Sequence, residues 1–358
     1  MGDYRRRLQR GFLRVNAALK RLLLATLTAK PFSGIWAPFK RGRGTIFMLH
    51  RFTDHDIGST GHDPSLLSSA LAYLRRERYE LVSLTELFRR LGEATPRLDR
   101  AIAFTIDDGY LDQATVAGRI FADFDCPVTT FVTTGFLDGT LWFWWDRIEY
   151  VLQYTARAAL DVELDSLTLH YSRDPITGYS EAQADFTDRC KQVPDAEKLA
   201  GIGRLASAAE VDLPERPPLR YAPMSWEQVR TLERRGMRFG PHTVTHPILS
   251  RTTTDQSRRE IEQSWARLKA EAAFPVPVFC YPNGQPEDYG DAEITVLQAL
   301  GFAGAVVGTT GYAPRRDFTR APDGPFRVRR FAYSDDLREF AQCATGLERV
   351  NQLVRGLA

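Results

Sequence analysis

Cysteine is scarce in this chain of 358 residues, which contains only Cys126, Cys190, Cys280 and Cys343. The four cysteines form no Cys-x-x-Cys pair and show no regular spacing. This pattern does not support a disulfide framework, and it leaves a reducing compartment open without establishing one.

Long hydrophobic runs are also lacking near the N-terminus, where the apolar residues 22–29 are too few to span a bilayer and short for a signal-peptide core. Acidic residues are nearly absent there. Residues 1–43 hold eleven of the 47 Lys and Arg residues but only one of the 45 acids, Asp3. The rest of the chain therefore has 36 basic and 44 acidic residues and is net negative by about eight.

Residues 4–30 place apolar side chains near helical spacing among arginines and lysines. This pattern predicts a basic amphipathic helix that can lie on an anionic membrane surface. We expect a cytoplasmic protein attached peripherally to the inner face of the membrane. A helix packed on the rest of the protein or left in solvent, and an atypical export signal, remain alternatives. Nothing beyond this helix favours nucleic-acid binding, so no nucleic-acid partner is expected.

The order of predicted elements indicates an α/β protein with a parallel sheet, because short β-rich runs alternate with helical patterns. With 43% hydrophobic residues the chain can bury one large core. We assign residues 1–43 to the basic N-terminal segment, 44–340 to the main domain with an insertion at 139–221, and 341–358 to a C-terminal helix. The predicted strands are residues 45–50, 101–106, 128–134, 237–240, 276–281, 303–308 and 326–333.

Two adjacent acids, Asp107 and Asp108, end the apolar run at residues 101–106. Neighbouring side chains of a regular strand point to opposite faces, so both carboxylates can share one cavity only if the backbone leaves strand geometry there. Gly109 permits such a departure. Taken alone, Asp-Asp-Gly is more typical of a turn or a helix cap than of a catalytic site.

A second polar motif, His242-Thr-Val-Thr-His246, lies between Pro241 and Pro247. Two histidines at this spacing would be roughly 13 Å apart in an extended chain, which is too far to share an ion. Because Pro247 disfavours helical geometry at His246, we expect a compact turn after a strand. Two imidazoles and one carboxylate make a divalent-metal site with an open position for water.

These motifs resemble those of the polysaccharide deacetylases, which share a distorted (β/α) barrel named the NodB type after the nodulation chitooligosaccharide deacetylase. The family motif Thr-Phe-Asp-Asp-Gly corresponds to residues 105–109, where Ile106 replaces the phenylalanine, and its motif His-Ser/Thr-x-x-His corresponds to residues 242–246. Its third motif, Phe-Arg-Pro-Pro-Tyr-Gly, corresponds to residues 279–284, where Cys280 replaces the arginine and Asn283 the tyrosine. The resemblance covers roughly residues 45 to 340 and implies this barrel, with a long inserted lid or subdomain.

The resemblance implies one divalent ion held by Asp108, His242 and His246, with Zn²⁺ expected and Co²⁺, Ni²⁺ or Fe²⁺ as alternatives. Asp107 would then be the general base, and the backbone N–H of Asn283 would stabilise the oxyanion, because Pro282 has no N–H to donate.

Two family residues lack an obvious counterpart in this chain. The family usually takes its general acid from a late histidine, but no histidine follows His246. A branch similar to the poly-N-acetylglucosamine deacetylases uses a histidine at the first strand, and His50 in Leu49-His50-Arg51-Phe52 resembles its motif. For the missing arginine, Arg330 is the proposed substitute, since its charge beside Asp107 would keep that carboxylate ionised. An arginine on a solvated strand edge is the alternative interpretation.

The insertion at residues 139–221 opens with an aromatic cluster, Trp142, Trp144 and Trp145, which we assign with Tyr281 to substrate binding. Packing inside the insertion is the alternative role of these tryptophans. The predicted substrate is an N-acetylated amino sugar in a glycan, an oligosaccharide or a lipid-linked precursor, and the predicted reaction is metal-dependent removal of acetyl. Two other functions remain open: an O-acetyl esterase or amidase, and a catalytically weakened carbohydrate-binding barrel. No oligomeric state is predicted.

Overall fold

The fold is described from a computed structural model, which covers residues 26–27 and 35–354. The amphipathic helix predicted for residues 4–30, and most of the segment assigned to residues 1–43, lie outside the described residues. Among the residues that are described, no helix combines the length and the apolar character needed to cross a membrane.

A parallel sheet of seven strands forms the centre of the molecule, in the order β7-β4-β3-β1-β11-β9-β8. Two short strands extend it, β2 beside β3 and β10 antiparallel to β1, while β5 and β6 form a separate hairpin. The strands are β1 Arg43–Leu49, β2 Glu80–Leu81, β3 Ala101–Asp108, β4 Val128–Val132, β5 Ala159–Leu164, β6 Leu167–Ser172, β7 Arg238–Pro241, β8 Val278–Cys280, β9 Gly304–Thr310, β10 Ala313–Pro314 and β11 Val328–Ala332.

The two edges of this sheet approach each other, so that the sheet nearly closes. Before β8 begins, the Val276 N–H donates a hydrogen bond of 2.7 Å to the Phe239 carbonyl in β7, and Pro275 pairs with Phe239 as an isolated parallel bridge. The sheet is therefore a distorted barrel, as predicted. In such a barrel the carboxyl ends of the parallel strands meet at one face, where barrel enzymes place their chemistry.

Helices follow most of the strands and cover the sheet. Their starts carry recognisable caps: the Asp63 side chain accepts from the Ser65 and Leu66 N–H groups, and Ser225 forms a capping box with Gln228. The α-helices are Ala37–Lys40, Pro64–Arg76, Leu84–Gly92, Gly118–Asp123, Thr134–Leu137, Trp144–Tyr154, Ser180–Cys190, Asp195–Ala208, Trp226–Arg234, Thr254–Glu271, Asp291–Ala299, Arg315–Arg320, Leu337–Thr345 and Leu347–Val354; a π-helical segment, Gln113–Ala117, precedes Gly118–Asp123, and 3-10 helices are Leu219–Tyr221, Leu249–Arg251 and Gly324–Phe326.

Alternating side chains of the central strands build two cores, one inside the barrel and one beneath the helices. In β1, Ile46 belongs to the interior cluster, whereas its neighbour Phe47 packs in the larger cluster outside the barrel. In β3, Ala103 likewise belongs to the interior cluster and Phe104 to the cluster outside the barrel. This period of two follows from strand geometry, and burial on both faces explains why these strands are apolar almost throughout.

The inserted residues have a hydrophobic core of their own. Helices Trp144–Tyr154 and Asp195–Ala208 pack with the β5–β6 hairpin around buried side chains such as Ile148, Val162 and Phe186. The hairpin was not predicted, although β5 carries its signal: Leu160, Val162 and Leu164 are buried and alternate with exposed residues. The insertion thus folds as a small layer against the barrel.

The barrel seam generates a prediction about Gly240. A Cβ at this position would lie 2.7 Å from the Phe131 ring and 2.9 Å from the Val278 carbonyl oxygen, so Gly240→Ala must push the two edges of the sheet apart. We expect a loss of about 1–3 kcal/mol in the free energy of unfolding, measured by urea denaturation.

The control is Gly203→Ala, in helix Asp195–Ala208, where an added Cβ would meet nothing within 4 Å. This substitution should be neutral or should stabilise by up to about 1 kcal/mol. Equal effects of the two substitutions would contradict the close approach at the seam.

Candidate metal centre

The last two residues of β3 bring their carboxylates to the carboxyl face of the barrel. Asp107 and Asp108 remain paired with Phe131 and Val132 of β4, and both acids are buried. The expected departure from strand geometry occurs at Asp108 itself, where φ is +90°, and continues at Gly109 with φ +99°. A non-glycine residue in this region is strained by about 1–3 kcal/mol, and such strain clusters at functional sites.

The two histidines follow β7 in a compact loop, as predicted. Residues 242–248 contain no helix, and the backbone is left-handed at Thr243 and His246, with φ of +65° and +57°. The Thr243 hydroxyl oxygen accepts a 3.0 Å hydrogen bond from the His246 N–H. These two left-handed residues fold the chain back, so that both imidazoles face the same point.

A buried acid from a neighbouring helix holds this loop. Glu260, in helix Thr254–Glu271, accepts hydrogen bonds from the Val244 and Thr245 N–H groups at 2.7 and 2.9 Å and from the Thr245 hydroxyl at 2.6 Å. Both carboxylate oxygens are therefore used on the loop between the histidines. This contact supports the position of His242 and His246 from behind.

Three ligand atoms converge beside Asp108. Its Oδ1 lies 3.7 Å from His242 Nε2 and 3.6 Å from His246 Nε2, and the two Nε2 atoms are 3.1 Å apart. Two ligands that each sit about 2 Å from an ion at a tetrahedral angle are about 3.3 Å apart. These separations fit three corners of a tetrahedron around a single divalent cation.

The tautomer of His242 also fits a metal ligand. Its Nδ1–H donates to the Cys280 carbonyl at 2.7 Å, which leaves the Nε2 lone pair free to bind a cation. Burial lowers the pKa of His242 to about 4 and lowers the pKa of His246 well below its ordinary value. Both imidazoles are thus neutral near pH 7, the form that coordinates metals.

Asp107 is engaged differently from Asp108. Arg330 donates two hydrogen bonds to it, from Nη1 to Oδ1 at 2.7 Å and from Nη2 to Oδ2 at 2.8 Å. The guanidinium is itself buried and also donates to Thr105 Oγ1, to the Val307 carbonyl and to Cys280 Sγ. The arginine predicted to orient Asp107 is therefore a bidentate partner, not a residue on a solvated strand edge.

Burial raises the pKa of both carboxylates, but their charged neighbours shift the two pKa values in opposite directions. Burial alone would raise the pKa of Asp107, and the charge and hydrogen bonds of Arg330 outweigh it, so this pKa falls below its usual range. For Asp108, burial and the charge of Asp107 together raise the pKa. A cation bound to Asp108 would favour its ionised form.

A second set of ligand types, Asp107, His242 and Cys280, is also close enough to share an ion. Both oxygens of Asp107 are already occupied by Arg330, whose positive charge opposes a cation there. Arg330 Nη2 also donates to Cys280 Sγ at 3.3 Å, so the same positive charge lies against a second member of this set. The set around Asp108 is the better cation site.

The predicted acid and the predicted oxyanion donor flank this site. His50 directly follows β1, and its Nε2 is 3.9 Å from Asp107 Oδ2. Its side chain is 46% exposed to the cleft, although surrounding protein desolvates the ring and lowers its pKa. Asn283 is left-handed, with φ +59°, and its backbone N–H has no hydrogen-bond acceptor among the described residues.

A cleft of about 610 Å³ joins these groups to the insertion. Trp144, Trp145 and Tyr281 line it, whereas Trp142 lies outside it against a separate cavity of the insertion. The Trp145 ring is 4.7 Å from the ring of His246, and Tyr281 stacks on Tyr289 with ring centroids 4.0 Å apart. Two of the three predicted tryptophans therefore reach the cleft.

Comparison with known proteins finds one family model that matches part of the chain. Residues 203–305 match the family model described as polysaccharide deacetylase. Over these residues the chain is similar to that family. The matched residues include His242, His246 and Cys280, whereas Asp107 and Asp108 precede them. No curated protein sequence matches the chain.

Several solved structures share the fold of this chain. The Streptococcus pyogenes deacetylase PplD, solved with acetate, is 17% identical, with a TM-score of 0.53 over 86% of this chain and 97% of that one. IcaB from Ammonifex degensii is 16% identical, with a TM-score of 0.51 over 85% and 98%. A Bacillus cereus polysaccharide deacetylase is 13% identical, with a TM-score of 0.51 over 84% and 69%. At these identities the likeness establishes the fold.

The sequence pattern did not reveal several residues that line or support the cleft. Tyr110, Asp146 and Glu149 line it, and Glu260 supports it from behind. Asp146 directly follows the Trp144-Trp145 pair, which was a usable signal. Glu260 lies within a long helix with no local pattern to mark it, because its role depends on a loop that folds against it.

The two carboxylates should differ in metal binding. Asp108→Ala removes one of three ligands and should raise the Kd for Zn²⁺ or Co²⁺ by more than about 100-fold. Asp107→Asn should keep a stoichiometry of about one ion per chain, because this residue is not a ligand. Titration calorimetry and elemental analysis measure both. Loss of the ion with Asp107→Asn but not with Asp108→Ala would assign the site to the set with Cys280.

Glu260→Gln should weaken metal binding, although Glu260 is not one of the proposed ligands. A glutamine can offer only one acceptor oxygen where the loop uses two, so the histidines lose support and the Kd should rise about 10- to 100-fold. Glu262→Gln, on the same helix about 200° around its axis, is the matched control and should leave the Kd unchanged. Equal affinities of both variants would show that the loop holds without Glu260.

Proposed function

We propose that this protein is a metal-dependent hydrolase that removes N-acetyl groups from an amino sugar in a glycan, an oligosaccharide or a lipid-linked precursor. The observation that carries the proposal is that two adjacent buried carboxylates have different partners. Asp107 is held by Arg330, while Asp108 faces two neutral imidazoles. A base and a cation site side by side are what hydrolysis of an amide requires.

Asp108, His242 and His246 would hold the divalent ion, which when bound supplies Lewis acidity toward the acetyl carbonyl and its attacking water. Zn²⁺ is the expected ion, and Co²⁺, Ni²⁺ and Fe²⁺ suit the same ligands. The remaining steps belong to side chains and backbone of this chain.

Asp107 takes the proton from the attacking water. Arg330 suits it to this role, because a bidentate guanidinium aims the carboxylate and keeps it ionised. The same contact makes Asp107 a weaker base than a free carboxylate, so its contribution depends on placement more than on basicity. The position of Arg330 supports an active enzyme over a catalytically weakened barrel, since the missing motif arginine motivated that alternative.

His50 donates a proton to the leaving nitrogen. Its ring opens to the cleft, and its Nε2 lies 3.9 Å from Asp107 Oδ2, so the proton that Asp107 takes from the water can be passed to the imidazole, which then protonates the leaving nitrogen. The free N–H of Asn283 donates to the developing oxyanion. The Asn283 side chain instead donates to Asp288, which holds the turn that presents this N–H.

The substrate class rests on the family and on the shape of the cleft. A cleft of about 610 Å³ has the size of a small-molecule site, and it combines Trp144, Trp145 and Tyr281 with charged groups. Aromatic faces with polar neighbours suit a sugar ring, which has apolar faces and hydroxyl edges.

The first test is acetate release from N-acetylglucosamine oligomers by the metal-loaded protein. Asp107→Asn and His50→Ala should each lower kcat by at least about 100-fold, the usual contribution of a general acid or base, with metal content unchanged. His62→Ala is the control, because this histidine pairs with Asp335 outside the cleft. Activity that survives His50→Ala would remove the acid assignment alone, and a metal-loaded protein that releases no acetate would contradict the proposal.

A further inference from the structure

A buried acid of the cleft has no part in the hydrolysis described above. Asp146 lies in the first turn of helix Trp144–Tyr154, only 3% exposed, and it lines the cleft from the insertion side. Its Oδ2 accepts a 2.7 Å hydrogen bond from the Tyr110 hydroxyl, which in turn accepts from Trp145 Nε1–H at 2.9 Å. Asp146 thus ties the insertion to the residue that follows the Asp-Asp-Gly motif.

The hydrogen bonds of Asp146 are incomplete. Among the described residues no group donates to its second oxygen, and the Tyr110 hydroxyl is its single neutral donor. Other buried acids accept hydrogen bonds through both oxygens. Glu233 accepts from two backbone N–H groups, Glu260 from two backbone N–H groups and a threonine hydroxyl, and Asp112 from Arg51 and the Phe52 N–H.

A buried carboxylate with one free oxygen is costly unless something in the cleft completes it. Burial raises the pKa of Asp146 to about 7, and the hydrogen bond from Tyr110 and the charge of Arg51 offset burial only in part. A hydrogen-bond donor in the cleft that reached the second oxygen would stabilise the ionised form.

The position of Asp146 matches a substrate contact. Asp146 and Asp108 line the same cleft. Trp145, the residue before Asp146, packs its ring against His246 and donates a hydrogen bond to the Tyr110 hydroxyl, so the wall that carries Asp146 adjoins the candidate cation site. A sugar ring with its acetyl group at the cation site would present its hydroxyl edge to this wall.

We infer that Asp146 forms a subsite of the cleft in which its free oxygen accepts a hydrogen bond from a hydroxyl of the sugar ring that carries the acetyl group. The inference rests on the proposed function and adds the insertion as the part of the chain that selects a hydroxylated ring. A site built around a hydrogen bond to a substrate hydroxyl rejects analogues that lack it, because the buried acceptor is then left unpaired.

The test compares a sugar substrate with an acetyl donor that has no sugar. Asp146→Asn preserves the size of the side chain but removes its charge. It should lower kcat/KM for N-acetylglucosamine oligomers about 10- to 100-fold, the loss of one hydrogen bond to a charged group. Hydrolysis of 4-nitrophenyl acetate and the metal content should stay within about twofold of the unchanged protein, since neither requires a ring hydroxyl.

The matched control is Asp185→Asn. Asp185 also accepts from a tyrosine hydroxyl, that of Tyr171 at 2.7 Å, and lies on the exposed face of the insertion. Asp185→Asn should leave the activity toward both substrates unchanged. An equal fall of both activities with Asp146→Asn would show that the acid acts through the metal site or the fold, and no fall with either substrate would also overturn the subsite.

A binding measurement separates this inference from the proposed function. Titration of N-acetylglucosamine oligomers into metal-loaded Asp107→Asn, with and without Asp146→Asn, needs no turnover. Binding weakened about tenfold by the second change supports the subsite even if no acetate is released, in which case only the deacetylase proposal fails. Unchanged binding, or none in either protein, overturns the subsite.

Discussion

The buried ion pair between Asp107 and Arg330 is the interaction on which the rest of the site depends. Two adjacent carboxylates at the end of one strand would repel each other and bind a cation jointly if both were free. The bidentate guanidinium occupies both oxygens of Asp107 and leaves Asp108 to face His242 and His246. One arginine thus separates the proposed base, Asp107, from the proposed metal ligand, Asp108.

This pair also explains how the chain tolerates Cys280 at the position where the third motif of the polysaccharide deacetylases has an arginine. The thiol is small, so Arg330 can reach across the barrel from β11 and donate to Cys280 Sγ as well as to Asp107. Removing one partner of a buried pair leaves an uncompensated charge and costs about 3–5 kcal/mol. Loss of Arg330 would therefore disturb both the fold and the chemistry.

The insertion supplies one wall of the cleft beside the site at the carboxyl face of the barrel. It has its own hydrophobic core, yet its first helix places Trp145 against His246 and Asp146 against Tyr110. The metal site of the barrel and the insertion wall are thus joined by aromatic and hydrogen-bonded contacts. In the proposed function the barrel supplies the reacting groups, and the insertion supplies the contacts that select the substrate.

Much of the fold and the convergence of the site were accessible from the sequence. Apolar strands with polar ends indicate a parallel sheet, and the resemblance of the motifs to those of the polysaccharide deacetylases implies the barrel that brings Asp107, Asp108, His242 and His246 to one face. The roles of Glu260 and Asp146 were not accessible, since each depends on which distant loop or tyrosine packs against it. The β5–β6 hairpin was missed although its alternation was present.

The measurement that tests the central claim most directly is a crystal structure of the metal-loaded protein with data at the absorption edge of the ion. The account predicts one anomalous peak about 2 Å from Asp108, His242 Nε2 and His246 Nε2, with Asp107 still bound to Arg330. A peak coordinated by Asp107, or an Asp107 released from Arg330, would contradict the separation of base and ligand.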